Sequence, residues 1–264
     1  MWTRVLTGAL FAPATLFLML YSPLLAQLTL VTIGIISLFE LKTMLSRISL
    51  KLLLPLLIPY ALVNLLMPPS IWSIQLFAFS LFAYFISLMC YSIYRYPGFD
   101  LNSLGANLLA ALYPVPMLMC ALNLRYTEHG HLALLLALSI TWGCDTFAFF
   151  GGTLFGKHFI LPNLSPKKTV EGSFFGVIGA VIAEVLFRYF FTMPIPLPPG
   201  VLAVSAAVLA QIGDMVASLL KRYTGVKDSG SIFPGHGGIL DRFDAFFFVA
   251  FQVALILSLG GNPL

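Results

Sequence analysis

Charge is what this sequence has least of. Of its 264 residues only 9% are Asp, Glu, Lys or Arg, while 59% are hydrophobic and the mean hydropathy is +0.97. A soluble domain carries about 25% charged residues. So few charges exclude a surface that faces water all round, and the solvent must be lipid. Cysteine is scarce as well. Cys90, Cys120 and Cys144 stand singly in apolar runs. An odd count without ligand spacing excludes a disulfide framework and a zinc site, and small core residues describe them well. Basic runs are also missing. A net charge of +4 with no long Lys/Arg tract excludes a nucleic-acid partner and suits the anionic face of a membrane. There is no convincing repeat, low-complexity tract or soluble domain.

What the sequence has is a succession of apolar runs, each near the roughly 20 residues that cross a bilayer. Breaks at Pro, Gly and polar residues predict an all-α, polytopic membrane protein of about nine transmembrane helices. The expected spans are 5–21, 24–39, 52–67, 71–93, 104–122, 131–150, 170–191, 200–220 and 242–259. They form one membrane domain, with N-terminal helices in 1–125 and catalytic helices and loops in 126–264. The apolar stretch from Val5 to Phe39 exceeds the roughly 7–15 residues of a signal-peptide core, so it is expected to be two spans.

Nine spans place 12 of the 14 Lys and Arg residues on one side, leaving Arg125 and Arg188 on the other. Cytoplasmic loops are the Lys/Arg-rich ones. The expectation is an N-terminus inside and a C-terminus outside.

The acids are unevenly spread. In the first half, Glu40, Asp100 and Glu128 are expected in loops, whereas Asp145, Glu184 and Asp214 fall inside spans. An acid in the bilayer must face a partner or a cavity. Glu184 reads as a structural, hydrogen-bonded acid. Asp145 stands beside Trp142 and Thr146, just before a glycine-rich exit, and reads as functional. Asp214, Ser218 and Lys221 are spaced i, i+4, i+7, so they share a helix face with Gln211. That stripe is expected to line a wet cleft ending at Lys221-Arg222.

The segment from Gly225 to Asp244 follows. Gly235, Gly237 and Gly238 let backbone amides approach an anion around His236. Asp241 and Asp244 are spaced i, i+3, and with Asp214 they supply carboxylates for a hard cation such as Mg2+. Each residue alone also fits a capped helix start. A further loop, Gly151–Lys157 and Ser165–Gly172, holds Lys167, Lys168 and Thr169. It reads equally as a polyphosphate-binding loop or a flexible cationic one.

The run Ser218–Asp244 is specific. Ser218, Lys221, Arg222, Lys227, Asp228, Pro234, Gly235, His236, Gly237, Gly238, Asp241, Arg242 and Asp244 resemble the signature of the phosphatidate cytidylyltransferases. Trp142–Gly156 and Ser165–Gly172 resemble that family too, whereas Phe149, Thr153 and Ala245 depart from it. The resemblance implies CTP and phosphatidate as substrates, CDP-diacylglycerol and diphosphate as products, and a homodimer in a bacterial inner membrane with its site facing the cytoplasm. It implies Mg2+ on Asp214 and Asp241 with Asp244 close by, and leaves room for a second cation. Asp145 would lie near the same cleft. Lys221, Arg222, Lys227 and His236 would contact phosphates, with Ser218 in support. Asp228 and Arg242 complete the implied catalytic set, and Lys167, Lys168, Thr169 and the motif glycines the substrate-binding set. The competing expectations are a CTP-dependent polyprenol or phytol kinase and a transporter of an anionic solute.

Overall fold

In the computed structural model, residues 13–67, 73–232 and 237–259 are described. Gly235 and His236, two of the expected site residues, lie outside them. The described chain is helical, with an isolated antiparallel bridge between Phe159 and Thr169. Residues 13–21 form α1. Then follow α2 (Pro23–Ser46), α3 (Leu54–Leu66), α4 (Ser73–Tyr94), α5 (Leu101–Leu112), α6 (Pro114–Tyr126), α7 (Gly130–Phe155), α8 (Val170–Phe190), α9 (Val201–Tyr223) and α10 (Leu240–Leu259).

Seven stretches among the described residues are long and apolar enough to cross a membrane: α2, most of α4, the continuous run Leu101–Tyr126, α7, α8, α9 and α10. The chain is therefore an all-α, polytopic membrane protein. The expected span at 52–67 is the 13-residue α3 with Pro59 inside it. At 1.5 Å per residue it is about 20 Å long, short of the roughly 30 Å hydrocarbon core.

Helix starts follow local chemistry. Ser22 Oγ accepts from Leu25 N before α2, and Asp100 Oδ1 accepts from Ser103 N before α5. Thr169 Oγ1 accepts from Gly172 N before α8. In each case a short polar side chain satisfies an amide that the first turn leaves unpaired.

The described helices belong to two compact units. One comprises 1–123 with 223–241, and the other 124–222 with 242–264. In the first, α2, α3, α4 and α5 pack together. Gln27 Nε2 donates to the carbonyls of Leu65 and Leu66 at the end of α3. Buried Asn107 donates to Lys51 O and Ser103 O and accepts from Leu53 N. In the second unit α7 and α8 run closely against each other. Gly143 and Gly179 face across that seam, and a Cβ on Gly143 would lie 2.8 Å from Gly179 O. Small residues let membrane helices approach until their backbones touch.

One placement differs from expectation. Glu40 is not in a loop but inside α2, and it is only 5% exposed. The helix runs past the apolar stretch because Leu38, Leu41, Met44 and Leu45 are all buried, continuing a 3–4 spacing on one face.

Candidate active site

The second unit gathers most of the expected charged residues. On α9, Asp214 is half-buried, with Ser218 and Lys221 following at one-turn intervals on the same face. Lys168 Nζ, from the loop before α8, meets Asp214 Oδ2 at 2.6 Å. Asp145, on an exposed face of α7, lies within electrostatic reach of Asp214, Lys168 and Arg242. Buried Asp244 on α10 lies within reach of Asp214, Asp145 and Lys221. Gly213 brings the two helices together here, since a Cβ on it would sit 2.5 Å from Asp244 O. Three carboxylates and three cations thus share one neighbourhood, each sign limiting the cost of the other in an apolar surround.

The loop that carries Lys168 is tied at both ends. Glu171 Oε2 accepts from Lys157 N and His158 N, and Glu171 Oε1 pairs with His158 Nδ1 at 2.6 Å. Ile160 N donates to Lys168 O, and Arg222 Nε donates to Leu164 O at 3.1 Å. Arg222 therefore holds this loop as well as being a cation at the end of α9. Lys167 is exposed, and Thr169 is buried as the cap of α8. Gln211 spends its side chain between helices: Nε2 donates to Ser173 O, and Oε1 accepts from Ser173 Oγ.

The first unit holds the motif loop. Lys227 and Asp228 are exposed, while Ser229 is buried. Asp241 Oδ2 accepts from Ser229 N at 2.7 Å, Ser229 Oγ at 2.9 Å and Gly238 N at 3.1 Å. Gly237 has φ +83°, a left-handed conformation that favours glycine. Beneath this loop lies Glu40, which the sequence reading left aside. Its carboxylate accepts from Ile239 N, Leu240 N and Ser229 Oγ at 2.8–2.9 Å. The signal that would have found it is an acid on the buried face of a continuing helix.

Glu184 is fully buried in α8 and structural, as expected. Its Oε1 accepts from Arg188 Nε and Nη2, and its Oε2 accepts from Gly200 N and Ala203 N at the start of α9.

Among the described residues no three His, Cys, Asp or Glu side chains form a ready-made metal cage. Magnesium seldom uses one, since it takes one or two carboxylates plus substrate phosphates. Carboxylates clustered with cations in a helical membrane protein fit a class: integral membrane enzymes that handle phosphorylated substrates.

The comparisons with known proteins give the family. The profile of the cytidylyltransferase family matches residues 2–259. A phosphatidate cytidylyltransferase of Bacillus subtilis is 36% identical over 97% of both chains. Those of Staphylococcus epidermidis and Staphylococcus aureus are 44% and 46% identical over 44% of this chain and 45% of theirs. The chain belongs to the cytidylyltransferase family, and it is a nucleotidyltransferase.

Proposed function

We propose that the protein joins CTP to phosphatidate in phospholipid biosynthesis. A phosphate oxygen of phosphatidate attacks the α-phosphorus of CTP. A new P–O bond forms, the bond from the α-phosphorus to the bridging oxygen breaks, and diphosphate leaves with that electron pair. The products are CDP-diacylglycerol and diphosphate.

The observation that carries this reading is the cluster of Asp145, Asp214 and Asp244 with Lys168, Lys221 and Arg242. A phosphomonoester is largely ionised near neutral pH, so the nucleophile needs no strong base. The barrier is the approach of two polyanions. Preorganised charge lowers it most, together with alignment of the reacting atoms. Lys168 pairs with Asp214 at the site, and in this reading its ammonium exchanges that partner for a phosphate. Lys221 and Arg222 neutralise the departing diphosphate in this reading. In this reading Lys227 and the Gly237 amide of the motif loop bind phosphate together with Gly235 and His236, Asp228 stands next to Lys227 in the chain, and Ser218 supports the cluster on α9.

Magnesium fits the donor set. Asp214 and Asp244 offer only carboxylate oxygens, the ligands a hard cation prefers, and Asp145 stands in their field. Bound there, the ion would neutralise phosphate charge. Asp241 would join the expected ligand set only through the carboxylate that also closes the loop. The family resemblance leaves room for a second cation. The remaining parts of the proposal are a homodimer in a bacterial plasma membrane, with the site and N-terminus facing the cytoplasm.

The test uses purified protein in mixed micelles with phosphatidate, Mg2+ and CTP labelled on the α-phosphorus. Label in the lipid phase with release of diphosphate is the expected result. Lipid labelled only from γ-labelled CTP overturns the proposal in favour of a kinase. Solute flux in proteoliposomes without any labelled lipid overturns it in favour of a transporter.

A further inference from the structure

The motif loop is anchored by a residue nearly 200 positions away in the chain. Glu40 is buried in α2, and both of its carboxylate oxygens are spoken for by the first unit's C-terminal segment: Oε1 by Ile239 N, Oε2 by Leu240 N and Ser229 Oγ. Ser229 Oγ donates in turn to Asp241 Oδ2. Its single hydroxyl proton therefore serves two carboxylates, and the two acids and the serine form one connected unit. Ser229 N and Gly238 N close the same ring on Asp241.

The surrounding residues are shaped to this contact. A Cβ on Gly230 would come within 2.5 Å of Glu40 Oε1. A Cβ on Gly238 would overlap Ser229 Oγ and both Glu40 oxygens. The acid beneath the loop thus accounts for one motif glycine, Gly238, and for Gly230 earlier in the loop. The amides that Glu40 accepts from are those at the start of α10, where unpaired N–H groups and the helix dipole favour an anion.

Resting on the proposed reaction, we infer that Glu40 is a positioning residue that pins Ser229 and the first turn of α10, so that Asp241 and the turn at Gly237-Gly238 are held ready before CTP arrives. Glutamine cannot replace it. All three groups around the carboxylate donate to it, and an amide nitrogen would turn one acceptor into a fourth donor. A buried amide left without an acceptor is costly.

The experiment compares wild-type protein with Glu40→Gln and the milder Ser229→Ala, measuring kcat, KM for CTP and amide hydrogen exchange at residues 237–241. The Gln variant is expected to raise KM for CTP about 10- to 100-fold per folded molecule, with Ser229→Ala smaller in the same direction. Exchange at Ile239 and Leu240 should quicken in the Gln variant, while exchange at Ala203, capped by Glu184, stays unchanged. A Gln variant that loses thermal stability but keeps wild-type kcat and KM overturns the inference, as does unchanged exchange at Ile239 and Leu240. If the Gln variant does not fold, an unaltered KM for CTP in Ser229→Ala overturns it. If wild-type protein makes no labelled lipid, the proposed reaction falls, and exchange at Ile239 and Leu240 alone decides whether Glu40 pins the loop.

Discussion

Glu40 and Glu184 are both buried acids in apolar helices, and both accept hydrogen bonds from amides at the start of a later helix. Glu184 receives Gly200 N and Ala203 N at α9, and Glu40 receives Ile239 N and Leu240 N at α10. They differ in the rest of their surroundings. Glu184 adds Arg188 at 2.6 Å on its own helix. Glu40 adds the hydroxyl of Ser229, and through it Asp241. The first arrangement neutralises a charge and ends there. The second connects an acid to the loop of the family motif. An acid inside a membrane helix is thus no sign of chemistry by itself. Its neighbours decide.

Asp214 supplies the third case, an acid that is half-exposed and paired with a lysine from a loop. The largest expected effect follows from that contrast. Asp214→Asn should lower incorporation of α-label into lipid about 100- to 1,000-fold, the scale of losing one preorganised electrostatic group, without lowering the thermal midpoint. Retention of full activity at limiting Mg2+ would remove Asp214 from the metal set.

Of comparable size but on stability, Arg188→Leu strands the Glu184 carboxylate in an apolar interior. Removing one partner of a buried pair costs about 3–5 kcal/mol, so the denaturation midpoint should fall sharply while kcat per folded molecule holds. A kinetic defect with intact stability would erase the distinction between the two glutamates. Lys168→Met should act on binding, raising KM for CTP by about tenfold, the scale of one charge-assisted hydrogen bond, with KM for phosphatidate little changed. An equal rise in both would mean that Lys168 serves the cleft as a whole. The smallest effect is that of Thr169→Ala, which removes the α8 cap for about 1 kcal/mol. Thermal unfolding would measure it, and a larger kinetic than thermal effect would return Thr169 to the substrate-binding set.

Composition was enough to make this an integral membrane protein, because a chain with 9% charged residues has no way to cover itself with water-seeking groups. Periodicity and breakers placed most helices, and the spacing of Asp214, Ser218 and Lys221 put the three on one face of α9, since 3.6 residues per turn is a local property. The run Ser218–Asp244 pointed to the family for the same reason: its residues are close in sequence. What sequence spacing did not reveal was contact over long separations. Nothing local joins Lys168 to Asp214, or Glu40 to Ile239 and Leu240. Those partners meet only when helices pack, and the buried amides at a helix start then take whichever acceptor the fold delivers. The tertiary structure therefore decided which acids are neutralised, which hold the motif loop and which stand half-exposed beside a lysine from a distant loop.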